Sequence, residues 1–227
     1  MSLFALSDLH LSFSDDKSME IFKGWDNYTE RIEKNWRHLI TDDDTVVING
    51  DVSWALSLDG AVRDFAFIES LPGRKIILKG NHDYWWTTMA KMKKFLSDNN
   101  FGSITLLHNN CVEVQSFAVC GTRGWVYDGS GEFDHKVIAR ECARLETSIK
   151  AAIDTGLQPV VFLHYPPVYG EEVCEEILEV LKRYNIDNIY YGHIHGAGRN
   201  QSVSGYDGIK MRLVSCDCVD FTPVFIG

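Results

Sequence analysis

The sequence predicts an α/β domain in which two sheets pack face to face, with helices on the outside. Strand-like apolar runs alternate with amphipathic helix-like segments in the first part of the chain, which is typical of a largely parallel sheet with covering helices. Strand patterns resume in the second half, after a group of short strands. One domain over residues 1–227 is expected, because a single α/β domain commonly has this length. Periodicity alone leaves one large mixed sheet as the alternative.

The predicted elements follow one another in a regular order. In the first half, the strands and helices that alternate are 2–7, 27–40, 44–49, 58–71, 74–79 and 87–99. Residues 103–121 contain three short strand-like runs joined by polar turns, which favours a meander. The elements expected after it are a helix at about 135–153, a strand at 159–163, a helix at 171–184, a strand at 188–192, and hairpin-like strands at 209–215 and 222–226.

Composition limits the classes of function. The formal net charge of −10 argues against a broad nucleic-acid-binding surface, since such surfaces depend on Lys and Arg. A local phosphate site stays possible if bound metal supplies positive charge. No apolar run approaches the roughly 20 residues of a membrane span, so we expect a cytoplasmic protein without membrane association. The six cysteines show no CxxC pairing, which favours buried thiols over a disulfide framework. The oligomeric state is not indicated.

Polar side chains that can bind metal follow five apparent strand ends. In "TVVINGDVSW", "KIILKGNHDYWW" and "NIYYGHIHGAG", one Gly separates an apolar run from a polar cluster. Gly at a strand end lets the backbone turn sharply, and open α/β sheets bind ligands outside the carboxyl ends of their strands. The candidate ligands are Asp8, His10, Asp51, Asn81, His164, His193 and His195.

Spacing and donor chemistry indicate the kind of site. Asp8 and His10 are two residues apart, as are His193 and His195, and in extended backbone such residues project to the same side. Carboxylate, imidazole and amide donors without thiolate suit Mn, Fe, Zn, Ni or Co. Seven ligands are too many for one catalytic ion, so we expect two divalent or trivalent transition metal ions that share the Asp51 carboxylate.

In these blocks the sequence resembles the calcineurin-like metallophosphoesterases, whose signature is DxH, GDxx, GNH followed by an acid, a lone His, and GHxH. All five blocks occur in order between residues 8 and 195. The resemblance implies a four-layer α/β/β/α sandwich of two mixed sheets, and a metal-bridging hydroxide that attacks a small phosphate-ester substrate. The implied ligands are Asp8, His10, Asp51 and His195 for one metal, and Asp51, Asn81, His164 and His193 for the other.

The resemblance also assigns a role to His82, the motif histidine outside the ligand set. It implies that His82 acts on the phosphoryl oxygens or the leaving group as an acid or charge stabiliser. The sequence leaves open whether Asp83 or a backbone carbonyl orients His82. Ser/Thr protein phosphatases of this superfamily carry an Asp three residues after the bridging Asp, where this chain has Trp54. Protein phosphatase activity is therefore not expected.

The sequence does not define the substrate. A phosphomonoester, a phosphodiester and a nucleotide all fit, and Arg123 in "GTRGW" is placed to contact a phosphate. The loop tryptophans either stack a nucleobase or close the edge of the core; they are Trp25, Trp54, Trp85, Trp86 and Trp125. The alternative to an enzyme is a catalytically silent protein-interaction scaffold on the same fold, which the complete motif set disfavours.

Overall fold

Two large mixed sheets lie face to face in the computed structural model, which describes residues 1–125 and 132–227. The strands of the first sheet, in spatial order, are β13 (Val224–Phe225), β1 (Leu3–Leu6), β2 (Thr45–Asn49), β3 (Arg74–Leu78) and β4 (Ile104–Leu107). Those of the second are β11 (Gly205–Tyr206), β12 (Ile209–Leu213), β10 (Asn188–Tyr191), β7 (Gln158–Leu163), β6 (Phe117–Thr122) and β5 (Val112–Val114). Both sheets have a parallel centre; the second has an antiparallel strand at each edge, whereas in the first only β13 is antiparallel and the other edge strand, β4, is parallel to β3.

Helices cover the outer face of each sheet. In the described residues the α-helices are α1 (Tyr28–Leu39), α2 (Leu58–Ser70), α3 (Met89–Asp98), α4 (Glu132–Asp154) and α5 (Glu175–Arg183). The first three pack on the first sheet, where Trp36 and Phe65 share a core with Ile48. The last two pack on the second sheet in a separate core. A third core lies between the sheets. Three cores between four layers confirm the predicted sandwich.

Side chains alternate along the strands, so β1 to β4 of the first sheet each contribute to two cores. Val46 and Ile48 of β2 pack beneath the helices, whereas Val47 between them faces the second sheet and packs with Phe162. This alternation is the period-two geometry of a strand. It explains why the strands read as continuous apolar runs, as expected for parallel strands that are buried on both faces.

Two predicted connections are wrong. Residues 103–121 do not form a meander, because β4 joins the first sheet while β5 and β6 form a hairpin at the edge of the second. The strands predicted at 209–215 and 222–226 do not form a hairpin with each other either: β12 pairs with β10, and β13 pairs with β1 in the opposite sheet. In both places the chain crosses between the sheets, which local patterns do not report.

Smaller differences concern element ends. The helix predicted from residue 171 begins at Glu175, and the residues before it form a two-stranded hairpin of β8 (Val168–Tyr169) and β9 (Glu172–Val173). All six cysteines are free thiols. Within the described residues, no helix combines the length and apolar character needed to cross a membrane. The cytoplasmic location stays a prediction.

Hydrogen bonds join the two sheets where their strands end. The backbone N–H of Ser7, just after β1, donates to the carbonyl of Val214 over 2.8 Å. The buried side-chain amide of Asn49, at the end of β2, donates to the carbonyl of Leu163 at the end of β7, also over 2.8 Å. We call this set of contacts the seam. It holds the carboxyl ends of strands from both sheets at one edge of the molecule.

Candidate metal centre

The seven predicted ligands converge at the seam. Asp8 and His10 follow β1, Asp51 follows β2, Asn81 follows β3, His164 follows β7, and His193 and His195 follow β10. Their donor atoms form two groups, each with all donor atoms within 4.8 Å of one another. The first group is Asp8, His10 and His195; the second is Asp51, His164 and His193. These are the two sets that the sequence resemblance implies, apart from the shared Asp51 and from Asn81.

Asp51 belongs to the second group and also lies close to the first. Its Oδ2 atom is 3.8 Å from Nε2 of His10 in the first group and 3.5 Å from Nε2 of His164 in the second. Asn81 adds an amide oxygen to the second group, 2.8 Å from Nε2 of His164. In the first group, the Nε2 atoms of His10 and His195 face each other over 3.2 Å. Imidazole nitrogens and carboxylate oxygens that point at common centres are a donor set that transition metal ions prefer.

The backbone that presents these side chains is not extended. Asp8, His10, Asp51 and His193 have φ values of 61°, 45°, 49° and 71°, in the left-handed region. Such values are uncommon outside glycine, although Asp and His tolerate them better than most residues, and they concentrate at functional sites. The sequence analysis assumed extended backbone at these residues, and that assumption is wrong. Asp8 and His10 still share a group, but His193 and His195 belong to different groups.

The glycines before the polar clusters act mainly by leaving space. Gly50 has a φ of 93° and turns the chain at the end of β2. At Gly80 and Gly192 the angle is ordinary, but a Cβ at Gly80 would overlap the carboxylate of Asp51, and one at Gly192 would lie 2.5 Å from Oδ2 of Asp8. Both carboxylates thus occupy space that only glycine provides.

Two polar groups that the sequence analysis missed orient two of the candidate ligand histidines. Asp217 accepts a hydrogen bond from Nδ1 of His195 over 2.8 Å, and the backbone carbonyl of Asn49 lies 3.0 Å from Nδ1 of His164. A partner on Nδ1 fixes the ring and leaves Nε2 to face the group. Asp217 lies between Cys216 and Cys218 in "SCDCV", outside every block of the metal-binding pattern. Asn49 gave a weak signal as a polar residue at a strand end.

Asp83 supports the turn that carries Asp51 and does not orient His82. Its buried carboxylate accepts hydrogen bonds from the backbone N–H groups of Gly80, Asp51 and Val52, over 2.7, 3.0 and 2.8 Å. The indole of Trp85 donates to it as well. The question that the sequence left open is therefore answered against Asp83, whose role is to hold two of the loops together.

His82 is held by its backbone and by Trp54. Its N–H donates to Oδ1 of Asp51 over 2.8 Å, and its ring packs on the Trp54 indole with centroids 4.5 Å apart. The same indole stacks on His10 with centroids 4.8 Å apart. Nδ1 of His82 is buried and has no hydrogen-bond partner among the described residues. Trp54 thus packs against two of the imidazoles at this site.

Electrostatics pair two buried carboxylates with two protonated histidines. Burial opposes ionisation of Asp51, but attraction from His164 lowers its pKa to about 2; Asp8 is lowered in the same way by His195. Burial likewise opposes charging of the two histidines, yet the Asp51 charge raises the pKa of His164 to about 9 and the Asp8 charge raises that of His195 to about 10. Burial instead lowers the pKa of His10 and of His193 to about 4.

A pocket of about 440 Å³ opens in front of the two groups. His10, Asp51, His82, His193 and His195 form its floor, and its other residues are Met19, Phe22, Lys23, Trp25, Trp54 and Gly196. The tryptophans mostly pack in the core, since Trp25 and Trp85 are 3% and 2% exposed. Phe22, which the sequence analysis did not single out, is 52% exposed and lines the pocket.

Comparison with known proteins places the fold and the motifs in a family. Residues 1–197 match the calcineurin-like phosphoesterase family. The Gene 66 protein of Mycobacterium phage L5 is 38% identical over 80 residues, which cover 34% of this chain and 37% of the phage protein. The match thus spans little more than a third of that relative.

Two solved structures share the fold. AQ665 from Aquifex aeolicus, described as a protein of unknown function, has a TM-score of 0.52 at 18% identity, covering 99% of this chain and 95% of its own. TT1561 of Thermus thermophilus has a TM-score of 0.57 at 12% identity, covering 99% of this chain and 97% of its own.

Replacing Gly80 tests whether the space it leaves is needed for the centre. In Gly80→Ala the new methyl group would displace the Asp51 carboxylate. We expect the protein reconstituted with Mn²⁺ to hold at most roughly half of the wild-type metal, as measured by elemental analysis. Gly102→Ala is the matched control, because a Cβ there meets no atom within 4 Å. Equal metal content in the two variants, both folded by circular dichroism, would contradict this account of Asp51.

Proton release tests the charge arrangement. At pH 7 the metal-free protein carries protons on His164 and His195, whose pKa values lie above 7, whereas metal ligation requires neutral imidazole. Metal binding should therefore release about two protons per chain and should tighten as pH rises towards 9. Calorimetry in buffers of different ionisation enthalpy measures this number. A binding enthalpy that is independent of the buffer would show that these histidines are already neutral.

Proposed function

This chain is a member of the calcineurin-like phosphoesterase family, and we propose on that basis that it is a binuclear metal-dependent hydrolase of small phosphate esters. The observation that carries the proposal is the position of Asp51 between two groups of donors at the floor of an open pocket. One group alone would resemble many polar clusters. Two groups that face one carboxylate match what a two-metal phosphoesterase requires.

The donors present fit two transition metal ions. The proposed ligands are Asp8, His10, Asp51 and His195 for one ion, and Asp51, Asn81, His164 and His193 for the other. Mn, Fe, Zn, Ni and Co all accept this mixture of imidazole, carboxylate and amide, and no cysteine is needed. When bound, such a pair lowers the pKa of a water and neutralises the negative charge of a phosphate.

The proposed reaction also needs a side chain that contacts the substrate without binding metal. His82 lines the floor beside Asp51 but belongs to neither donor group, so it is the residue proposed to touch the phosphoryl oxygens or the leaving oxygen. Packing on Trp54 and the hydrogen bond from its own N–H to Asp51 restrict where its ring lies. An imidazole in this position can donate a proton to a leaving alkoxide or stabilise charge on phosphoryl oxygens.

The pocket admits a small ester, such as a phosphomonoester, a phosphodiester or a nucleotide. Its lining includes apolar side chains, among them the exposed ring of Phe22, while Lys23 supplies a cation. These features suit a substrate with an uncharged or flat group beyond the phosphate. The scaffold alternative receives no support from a lost ligand or a filled pocket, because every motif residue is present and the donor groups face open space.

Substitution of His82 separates metal binding from chemistry. In His82→Ala we expect metal content near wild type and turnover reduced by about 10²–10⁴-fold, the scale of one acid–base group. If His82 protonates the leaving oxygen, the loss should be smaller for p-nitrophenyl phosphate than for an alkyl phosphate, because p-nitrophenolate leaves without a proton. His193→Ala is the comparison variant and should lower both metal content and turnover.

The assay uses protein loaded with Mn, Ni, Zn or Fe, with p-nitrophenyl phosphate and its bis ester as first substrates. Loss of metal in His82→Ala would make this histidine a ligand. Absence of wild-type turnover with every metal and ester would favour the scaffold.

A further inference from the structure

A second cleft, separate from the pocket of the metal centre, is lined by basic residues. It has a volume of about 210 Å³, well above the roughly 30 Å³ that one water occupies. Lys79 after β3, Arg123 after β6, and Arg140 and Arg144 of α4 contribute its cations. The chain as a whole has 22 basic and 32 acidic residues, so this concentration of positive charge runs against the composition.

Among the described residues of the lining, Glu141 is the one acidic side chain, and it already has partners. Its carboxylate is fully buried and accepts hydrogen bonds from the Thr122 hydroxyl and from Arg144, each over 2.6 Å. Arg123 lies farther from it, at 3.9 Å. Within the described lining, four cations therefore share one carboxylate. Among the described residues, Lys79 and Arg140 form no ion pair within 4.0 Å.

One further observation indicates that the cleft suits an anion. Nε of Arg123 is buried and has no hydrogen-bond partner in the described part of the chain. A buried donor without an acceptor is costly. The oxygen of an oxyanion in the cleft can accept this hydrogen bond, and its negative charge attracts the neighbouring cations.

The cleft lies next to the second donor group of the metal centre. Lys79 precedes Gly80 and the candidate ligand Asn81. On the other side, the carbonyl of Thr122 accepts a hydrogen bond from the backbone N–H of His164, and the carbonyl of Arg123 accepts one from Tyr165, over 3.4 and 2.8 Å. Two cations of the cleft, Lys79 and Arg123, therefore lie at strand ends that adjoin proposed ligands of the metal centre.

We propose that this cleft binds a phosphoryl oxyanion at a site distinct from the metal centre. Guanidinium groups offer paired N–H donors that match phosphate oxygens, and an ammonium adds a compact charge. The ligand is either free inorganic phosphate or a second phosphate group of the substrate, since both present the same oxygens.

Binding is tested on metal-free protein with inorganic phosphate, so the result does not depend on turnover. Calorimetry and the phosphate-dependent rise of the unfolding midpoint report binding, with sodium chloride at equal ionic strength as the reference. Arg140→Glu, at an exposed position of α4, should weaken phosphate binding at least tenfold. Lys150→Glu is the matched control: it reverses a positive charge on the same helix outside the cleft and should leave binding unchanged.

Other results overturn the proposal or identify the source of the anion. Phosphate binding that is unaffected by Arg140→Glu and by Lys79→Ala would place the anion elsewhere, and absence of binding to wild type at millimolar phosphate would also defeat the proposal. In the metal-loaded protein, Arg140→Glu should raise KM for adenosine 3′,5′-bisphosphate but not for p-nitrophenyl phosphate if the cleft takes a second substrate phosphate. If Arg140→Glu and the wild type have equal KM values for the bisphosphate while the variant has lost phosphate binding, free phosphate is identified as the ligand.

Discussion

The hydrogen-bonded seam between the two sheets is the constraint on which the candidate centre depends. Asp8 and Asp51 come from the first sheet, while His164 and His195 come from the second. Asn49 serves both parts, since its side chain ties β2 to β7 and its carbonyl contacts the ring of His164. A shift of one sheet along the other would separate every carboxylate from its histidine. The interface core between the sheets therefore does more than bury apolar area, because it fixes the distances between donors.

The arrangement of the candidate centre contributes unfavourably to the free energy of folding. Two carboxylates that are at most 1% exposed have lost nearly all contact with water, and Asp8, His10, Asp51 and His193 adopt left-handed backbone angles. Desolvation of each charge costs several kcal/mol, and each strained residue adds of the order of 1–3 kcal/mol. In the metal-free protein, His164 and His195 offset part of the carboxylate charge. Such strain persists where a site requires it, and here four of the seven proposed ligands carry it.

The sequence predicted the layers, and it predicted which side chains lie together at the strand ends, because both follow from local sequence patterns. Apolar runs such as "TVVIN" mark buried strands, and polar clusters directly after them mark the strand ends. It did not predict that β4 and β5 belong to different sheets or that β13 pairs with β1, since strand order depends on contacts distant in sequence. The supporting roles of Asp83 and Asp217 were missed for the same reason: each contacts a loop from another part of the chain.

The most direct test of the account is the anomalous diffraction of crystals grown with Mn²⁺. The account predicts two anomalous peaks about 3.5–4 Å apart, the separation of two-metal phosphoesterase sites. Asp8, His10 and His195 should surround one peak, His164, His193 and Asn81 the other, and Asp51 should contact both. A single peak, or two peaks of which only one contacts Asp51, would contradict the shared-carboxylate centre.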